Sequence, residues 1–300
     1  MLLKAAGTST QKSTQKSTKK GASASSGKQP IRAASPATEA ARPAAGSPKD
    51  LKPGEVYGDA LLTNDTLRLL KKPGSLTAPE IAKVRAAIAK EPKDRQPRLY
   101  RWVASKVDYR NQRDNAGRYV EGDSMCNVTS LAMAMNGLGV GANEKNKQFE
   151  DTIDEALVQK GSGSRYDEAG QTWIAEQRGL DVKRLYFGGN KGADGTKSWF
   201  MKEVLPRLEK GQSATMGVRF GSGYENAHIV RLQWVDSDGL KVDDPFGELK
   251  FRDGRYAYEN NDTTSAEKDG AKGENNLWSW KQVADVMGAK GDRYVQFLSA

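Results

Sequence analysis

Three side chains in this chain of 300 residues have the types that nucleophilic acyl transfer needs: Cys126, the only cysteine, His228, the only histidine, and Asp244, sixteen residues after the histidine. In such chemistry a thiolate attacks a carbonyl, an imidazole takes and returns the proton, and a carboxylate orients the ring and stabilises its cation. Each residue type also has an ordinary structural use. Free cysteine is among the most buried residue types, a lone histidine on a strand face is commonly a hydrogen-bonded core residue, and Asp-Pro can simply close a turn. A single cysteine excludes an internal disulfide. One cysteine and one histidine fall short of the usual four-ligand zinc site.

The elements that must position these residues can be read from the surrounding pattern. SMCNVTSLAMAMNGLG, 124–139, predicts a helix whose apolar stripe is Val128, Leu131, Met135 and Leu138, with Asp123 or Ser124 available as its cap. Cys126 lies about 120° to 200° from that stripe, on the side of Ser130, Met133 and Gly137. In a first helical turn a thiol faces unpaired N–H groups and the positive end of the helix dipole, both of which favour thiolate. AHIVRLQWV alternates as a strand and places His228 on one face with Val230, Leu232 and Trp234. A turn at Ser237–Gly239 folds LKVDD back along that strand and carries Asp243 and Asp244 toward its beginning. The residue before proline is held extended, which fixes Asp244 at the strand end.

Further out, the charge is uneven. The formal net charge is +9, but residues 1–50 hold nine Lys or Arg against two acids, and the rest is nearly neutral. That segment is Ser, Thr, Ala, Lys, Gly and Pro with a direct repeat, QKSTQKST; it has little to bury and reads as a disordered basic tail. It suits a solubilising arm or nonspecific contact with an anionic surface; dedicated nucleic-acid binding is not indicated. Residues 51–110 read as a helical lead-in, with APEIAKVRAAIAK at helical spacing behind Thr77 and with Tyr100, Trp102 and Val103 docking it. Residues 111–300 read as the main domain. There helical patterns come first (127–138, 145–159, 167–178, 197–208) and strands later (VKRLYF, SATMGVRF, AHIVRLQWV, LKVDD, ELKFRD, YVQFLS), with a helix in WSWKQVADVMG and a long, mobile polar loop over 259–276. The order predicts an α+β fold with an antiparallel sheet. No apolar run approaches the roughly 18 residues of a membrane helix, and MLLKAAGTSTQK lacks a signal-peptide core.

QRDN (112–115), CNVTSLAMAMNGLG, AHIVRL and VDDPFGE together resemble papain-like cysteine peptidases, in the branch of the bacteriocin-processing (double-glycine) peptidases and their free-standing relatives. The likeness spans roughly 109–251. It implies a papain-like fold, Cys126 as nucleophile, His228 as base, Asp244 as orienter and Gln112 as a donor to the oxyanion, beside the backbone N–H of Cys126. Gln112 stands 14 residues ahead of Cys126, so the insertion NAGRYVEGD has to loop out to return it to the site. Such a site needs no metal or cofactor. The resemblance implies a peptide or peptidoglycan substrate, and a chain without a signal peptide suits release by lysis or injection by a delivery apparatus through its tail. An immunity or inhibitor protein would then be a partner. A protease acting on proteins of a target cell and a non-catalytic binding module are the competing readings.

Other motifs carry less. VDSDG fits a hairpin turn better than a calcium loop, and GSGSR and GSGYE lack the strand–helix context of phosphate loops. Tyr224 and Glu225 are candidates to line a cleft, and Trp173 and Trp199 read as core.

Overall fold

The described part of the chain opens with three short helices: α1 (Asn64–Lys71), α2 (Ala78–Ile88) and α3 (Gln96–Ala104). In the computed structural model the described residues are 64–114, 122–141, 148–161, 167–189, 191–219, 227–252, 255–261, 270–288 and 293–300. The expectations for the basic tail, for the insertion after Asp114 and for Tyr224 and Glu225 lie outside them. Helix α2 starts where its sequence says. Thr77 caps it, the Thr77 N–H donates to Glu80 Oε2 at 2.8 Å, and Lys72 pairs with Glu80 at 3.0 Å. Replacing Thr77 with alanine is expected to cost about 1 kcal/mol, a fall in melting temperature of about 2 to 4 °C that calorimetry would resolve.

The spacing of Ile81, Val84 and Ile88 buries all three with Leu70, Leu76, Leu99 and Val103. This layer is fastened to the rest of the chain. Met133 enters the same cluster, Leu76 forms a parallel bridge with Val107, and Arg85 donates to the carbonyls of Gly137 (3.2 Å) and Gly211 (2.6 Å).

Helices α4 (Cys126–Asn136), α5 (Phe149–Gln159) and α6 (Glu168–Glu176) follow. Every residue of α4 after Cys126 is buried. Its stripe of Val128, Leu131, Met135 and neighbouring Leu138 packs with Phe149, Ile153 and Leu157 of α5 and Ile174 of α6. Strand β1 (Asp181–Tyr186) precedes α7 (Gly192–Trp199), a wide π-type turn (Phe200–Val204) and α8 (Leu205–Leu208). The sequence suggested one continuous helix there. Pro206 has no N–H to donate, and the turn ahead of it widens so that the Leu205 N–H reaches back to the Phe200 carbonyl.

The remaining elements are β2 (Ser213–Arg219), β3 (Ala227–Val235), β4 (Gly239–Asp243), β5 (Gly247–Arg252), β6 (Arg255–Asn260), β7 (Asn276–Ser279), α9 (Trp280–Gly288) and β8 (Tyr294–Ser299). Six strands form a wholly antiparallel sheet in the order β1-β8-β2-β3-β4-β7, and β5 and β6 pair separately. The fold is thus α+β with the nucleophile helix ahead of an antiparallel sheet. Met216, Val230, Leu232, Val295 and Phe297 from the sheet, Phe200 and Val204 before α8, and Val283 of α9 make the largest core. Trp199 packs on that core and Trp173 on the α4–α6 cluster, both partly buried.

The β3–β4 hairpin bears most directly on function. A bulge between Leu232 and Trp234 shifts the register, so Asp243 lies opposite Arg231. The two form a buried ion pair, and Arg231 Nη2 also donates to the Ala104 carbonyl at 2.8 Å. Part of the segment expected to be a mobile loop is ordered structure: Asn261 and Gly270 are buried, and β7 closes the edge of the sheet against β4.

Candidate active site

Cys126 is the first residue of α4 and is partly exposed, whereas the ten residues after it are buried. The thiol therefore stands where the helix emerges from the core. The lead-in differs from the sequence reading: neither Asp123 nor Ser124 caps the helix. They belong to a 3-10 turn, Gly122–Ser124, and Met125 takes the capping position without a side-chain hydrogen bond. The Asp123 carboxylate is drawn to the Arg113 guanidinium at 2.9 Å instead.

His228, 9% exposed, sits at the start of β3. Its Nε2 lies 2.7 Å from Asp244 Oδ1, and the Cys126 side chain is close enough to act on the same ring. A nitrogen facing a carboxylate carries the proton, so Nε2 donates to Asp244 and, in the neutral ring, Nδ1 is the nitrogen left without a proton. Burial works against the imidazolium, but the Asp244 charge, its hydrogen bond and the Cys126 side chain together outweigh it and push the histidine up to about 10.

Asp244 is fully buried. Oδ1 accepts from His228 and from the Phe246 N–H (3.0 Å), and Oδ2 accepts from the Tyr258 hydroxyl (3.0 Å). Its backbone is pinned as well. The Asp244 N–H donates to the Gly273 carbonyl (2.9 Å), and the Asp244 carbonyl accepts from the Tyr109 hydroxyl (2.6 Å). Asn261 Nδ2 in turn donates to Tyr109 Oη (2.7 Å) and to the Pro245 carbonyl (3.0 Å). Burial holds both tyrosines protonated, well above the usual phenol range, so each remains a donor. The rings of His228, Phe246 and Tyr258 meet edge to face, with centroids 5.2 to 6.2 Å apart.

His228 and Asp244 are thus joined by a hydrogen bond, with the Cys126 side chain close enough to act on the imidazole. Gln112 is placed differently. Its backbone N–H donates to the Pro245 carbonyl at 3.0 Å, and its Nε2 donates to the carbonyls of Asp123 (2.9 Å) and Gly122 (3.2 Å). The side-chain amide therefore braces the turn that delivers Cys126, and the backbone N–H ties that turn to the segment carrying Asp244. The sequence reading missed Tyr109, Tyr258, Asn261 and Gly273. Tyr258 had a signal: RYAYEN alternates and follows Asp253-Gly254, a hairpin dipeptide. Gly273 and Asn261 had none, because their roles arise only when 270–276 folds back on the β4 end.

Among the described residues no group of three or more His, Cys, Asp or Glu side chains is placed to hold a metal ion, and no helix is long and apolar enough to cross a membrane. A helix that presents a cysteine at its first turn, followed by an antiparallel sheet that supplies histidine and aspartate, defines a papain-like cysteine peptidase fold. The model of the Peptidase_C39 like family matches residues 104–287, and the chain belongs to that family. Among solved structures, that of the Pseudomonas avirulence protein AvrPphB aligns with 66% of this chain and 100% of its own, at 12% identity and a TM-score of 0.32. A search of the curated proteins found no match.

Proposed function

We propose that the protein is a cysteine hydrolase that cleaves amide bonds, with Cys126 as nucleophile, His228 as acid and base, and Asp244 as orienter. The observation that carries this reading is the buried His228–Asp244 hydrogen bond, with the partly exposed Cys126 at the start of α4 close enough to act on the same imidazole. Sulfur attacks the carbonyl carbon, and the negative oxygen is received by the Cys126 N–H at the start of α4. In this proposal Gln112 supplies the second donor by exchanging one carbonyl of the Gly122–Asp123 turn for the substrate oxygen. The carbon–nitrogen bond then breaks and the leaving amine takes its proton from His228. Water adds to the thioester, giving a proton back to His228, and the acid leaves as the thiol is restored.

Peptidoglycan stem peptides are the proposed substrate, and a lytic or antibacterial role is the proposed setting. The strongly basic first 50 residues favour an anionic polymer as the surface on which the enzyme works. The test uses the full chain and a Cys126→Ala variant on purified sacculi, with free amines and released muropeptides measured. Release by the wild type alone supports the wall substrate. Cysteine-dependent cleavage of proteins, with sacculi left intact, would move the substrate to proteins of a target cell.

A further inference from the structure

We infer that Tyr258 is a positioning residue for this reaction: by donating to Oδ2 of Asp244 it fixes the rotation of the carboxylate, so that Oδ1 faces His228. The inference rests on the reading of Cys126, His228 and Asp244 given above. A carboxylate can turn about its last bond and exchange its two oxygens. Here Oδ1 already serves two donors, His228 Nε2 at 2.7 Å and the Phe246 N–H at 3.0 Å. Asp244 is shut off from water, so Oδ2 depends on the 3.0 Å bond from Tyr258. Without that donor one oxygen of a buried carboxylate is left unmatched, and rotation toward other donors becomes favourable at the expense of the bond to His228.

The origin of the tyrosine matters as much as the distance. Histidine and aspartate come from neighbouring strands of the main sheet, but Tyr258 comes from β6, which pairs only with β5. The two-stranded unit is therefore part of the active site and its docking is coupled to the alignment of His228. The ring reinforces this, meeting His228 at 5.8 Å and Phe246 at 5.2 Å between centroids. Asp244 and the Cys126 side chain act on the Tyr258 hydroxyl as they do on His228. Tyr109 sits behind the Asp244 backbone and does not contact the carboxylate oxygens through any of its described bonds.

Tyr258→Phe keeps the ring and deletes the donor, which separates positioning from packing. The probe is iodoacetamide, whose reaction with the single cysteine needs no knowledge of the substrate. In the full chain, Tyr258→Phe is expected to slow alkylation at about pH 6 by roughly 10-fold and to match the wild type near pH 10, where any thiol is largely ionised. In an Asp244→Asn background the same change is expected to have less than about 2-fold effect, because it acts through the carboxylate. An unchanged profile, or an equal loss in both backgrounds, overturns the positioning role. If His228→Ala itself reacts like the wild type at pH 6, the triad fails and the role of Tyr258 fails with it. Loss of Tyr258→Phe reactivity at every pH, together with a lowered melting temperature, would assign the hydroxyl to folding instead.

Discussion

Asp244→Ala is expected to lower kcat/KM by about 10³- to 10⁴-fold, the scale seen when the orienting carboxylate of a triad is lost, while the protein remains folded. The deletion acts in two ways. It removes the partner that holds Nε2, and it removes the charge that does most to offset burial and carry His228 up to about 10. The wild type should therefore keep its imidazolium, the proton source for the leaving amine, until the pH approaches 10. In the variant the buried ring loses that support, and the alkaline limb of hydrolysis should move down to, or below, the ordinary histidine value of about 6.5.

The sign for stability follows from the same shift. A histidine raised above its unfolded value stabilises the fold fully below about pH 6.5. That contribution fades as the pH rises through about 10. Wild-type melting temperature should decline over this window, and Asp244→Ala should show little of the decline. Asp244→Asn separates the two effects because it keeps an acceptor for Nε2 without the charge. It should retain more activity than alanine at pH 6 and still show the lowered alkaline limb. Superimposable pH–rate profiles for wild type and Asp244→Ala would remove aspartate from the mechanism.

The contrast between what could and could not be read from the sequence has a physical cause. The elements that carry Cys126, His228 and Asp244 are legible because each has a strong local pattern: a helix start, an alternating strand, and an Asp-Pro at a hairpin end. Local patterns report local geometry, and the β3–β4 pairing converts the last two into one contact. The cap of α4 was misread because Asp123 has the right chemistry for a cap, yet Arg113, ten residues away, holds its carboxylate. The 259–276 segment reads as loose because it is polar. Its described parts, 259–261 and 270–276, are held by long-range bonds such as Asn261 to Tyr109, across 152 positions, which no periodicity records. Gln112 lies between these cases: the family likeness implies a place beside Cys126, whereas the acceptors of its Nε2 are the Gly122 and Asp123 carbonyls, set by a turn that the sequence did not suggest.

Gly273→Ala should be the most damaging single methyl added near the site. Its φ is not in the left-handed region, so the objection is space and not backbone strain. A Cβ there would stand 1.8 Å from the Asp244 carbonyl oxygen and 2.7 Å from the Tyr109 hydroxyl. Neither atom is the free end of a flexible side chain. The carbonyl is backbone, held by the 2.6 Å bond from Tyr109, and Tyr109 is held by Asn261. Relief requires the 270–276 turn and the β4 end to separate, which breaks the 2.9 Å bond from the Asp244 N–H to the Gly273 carbonyl. Overpacking of this kind costs about 3 kcal/mol or more when the neighbours are fixed, and a shift of about 1 Å at a catalytic group costs roughly 100-fold in rate. Urea unfolding should register the first loss, and iodoacetamide alkylation at pH 6 the second. Gly188→Ala is the matched control: no atom lies within 4 Å of its added methyl, so its stability should change by less than about 0.5 kcal/mol. If Gly273→Ala is as stable and as reactive as that control, the Asp244 backbone is not held by close packing against Gly273, and the alignment of His228 must come from the donors to the Asp244 carboxylate, the Phe246 N–H and the Tyr258 hydroxyl.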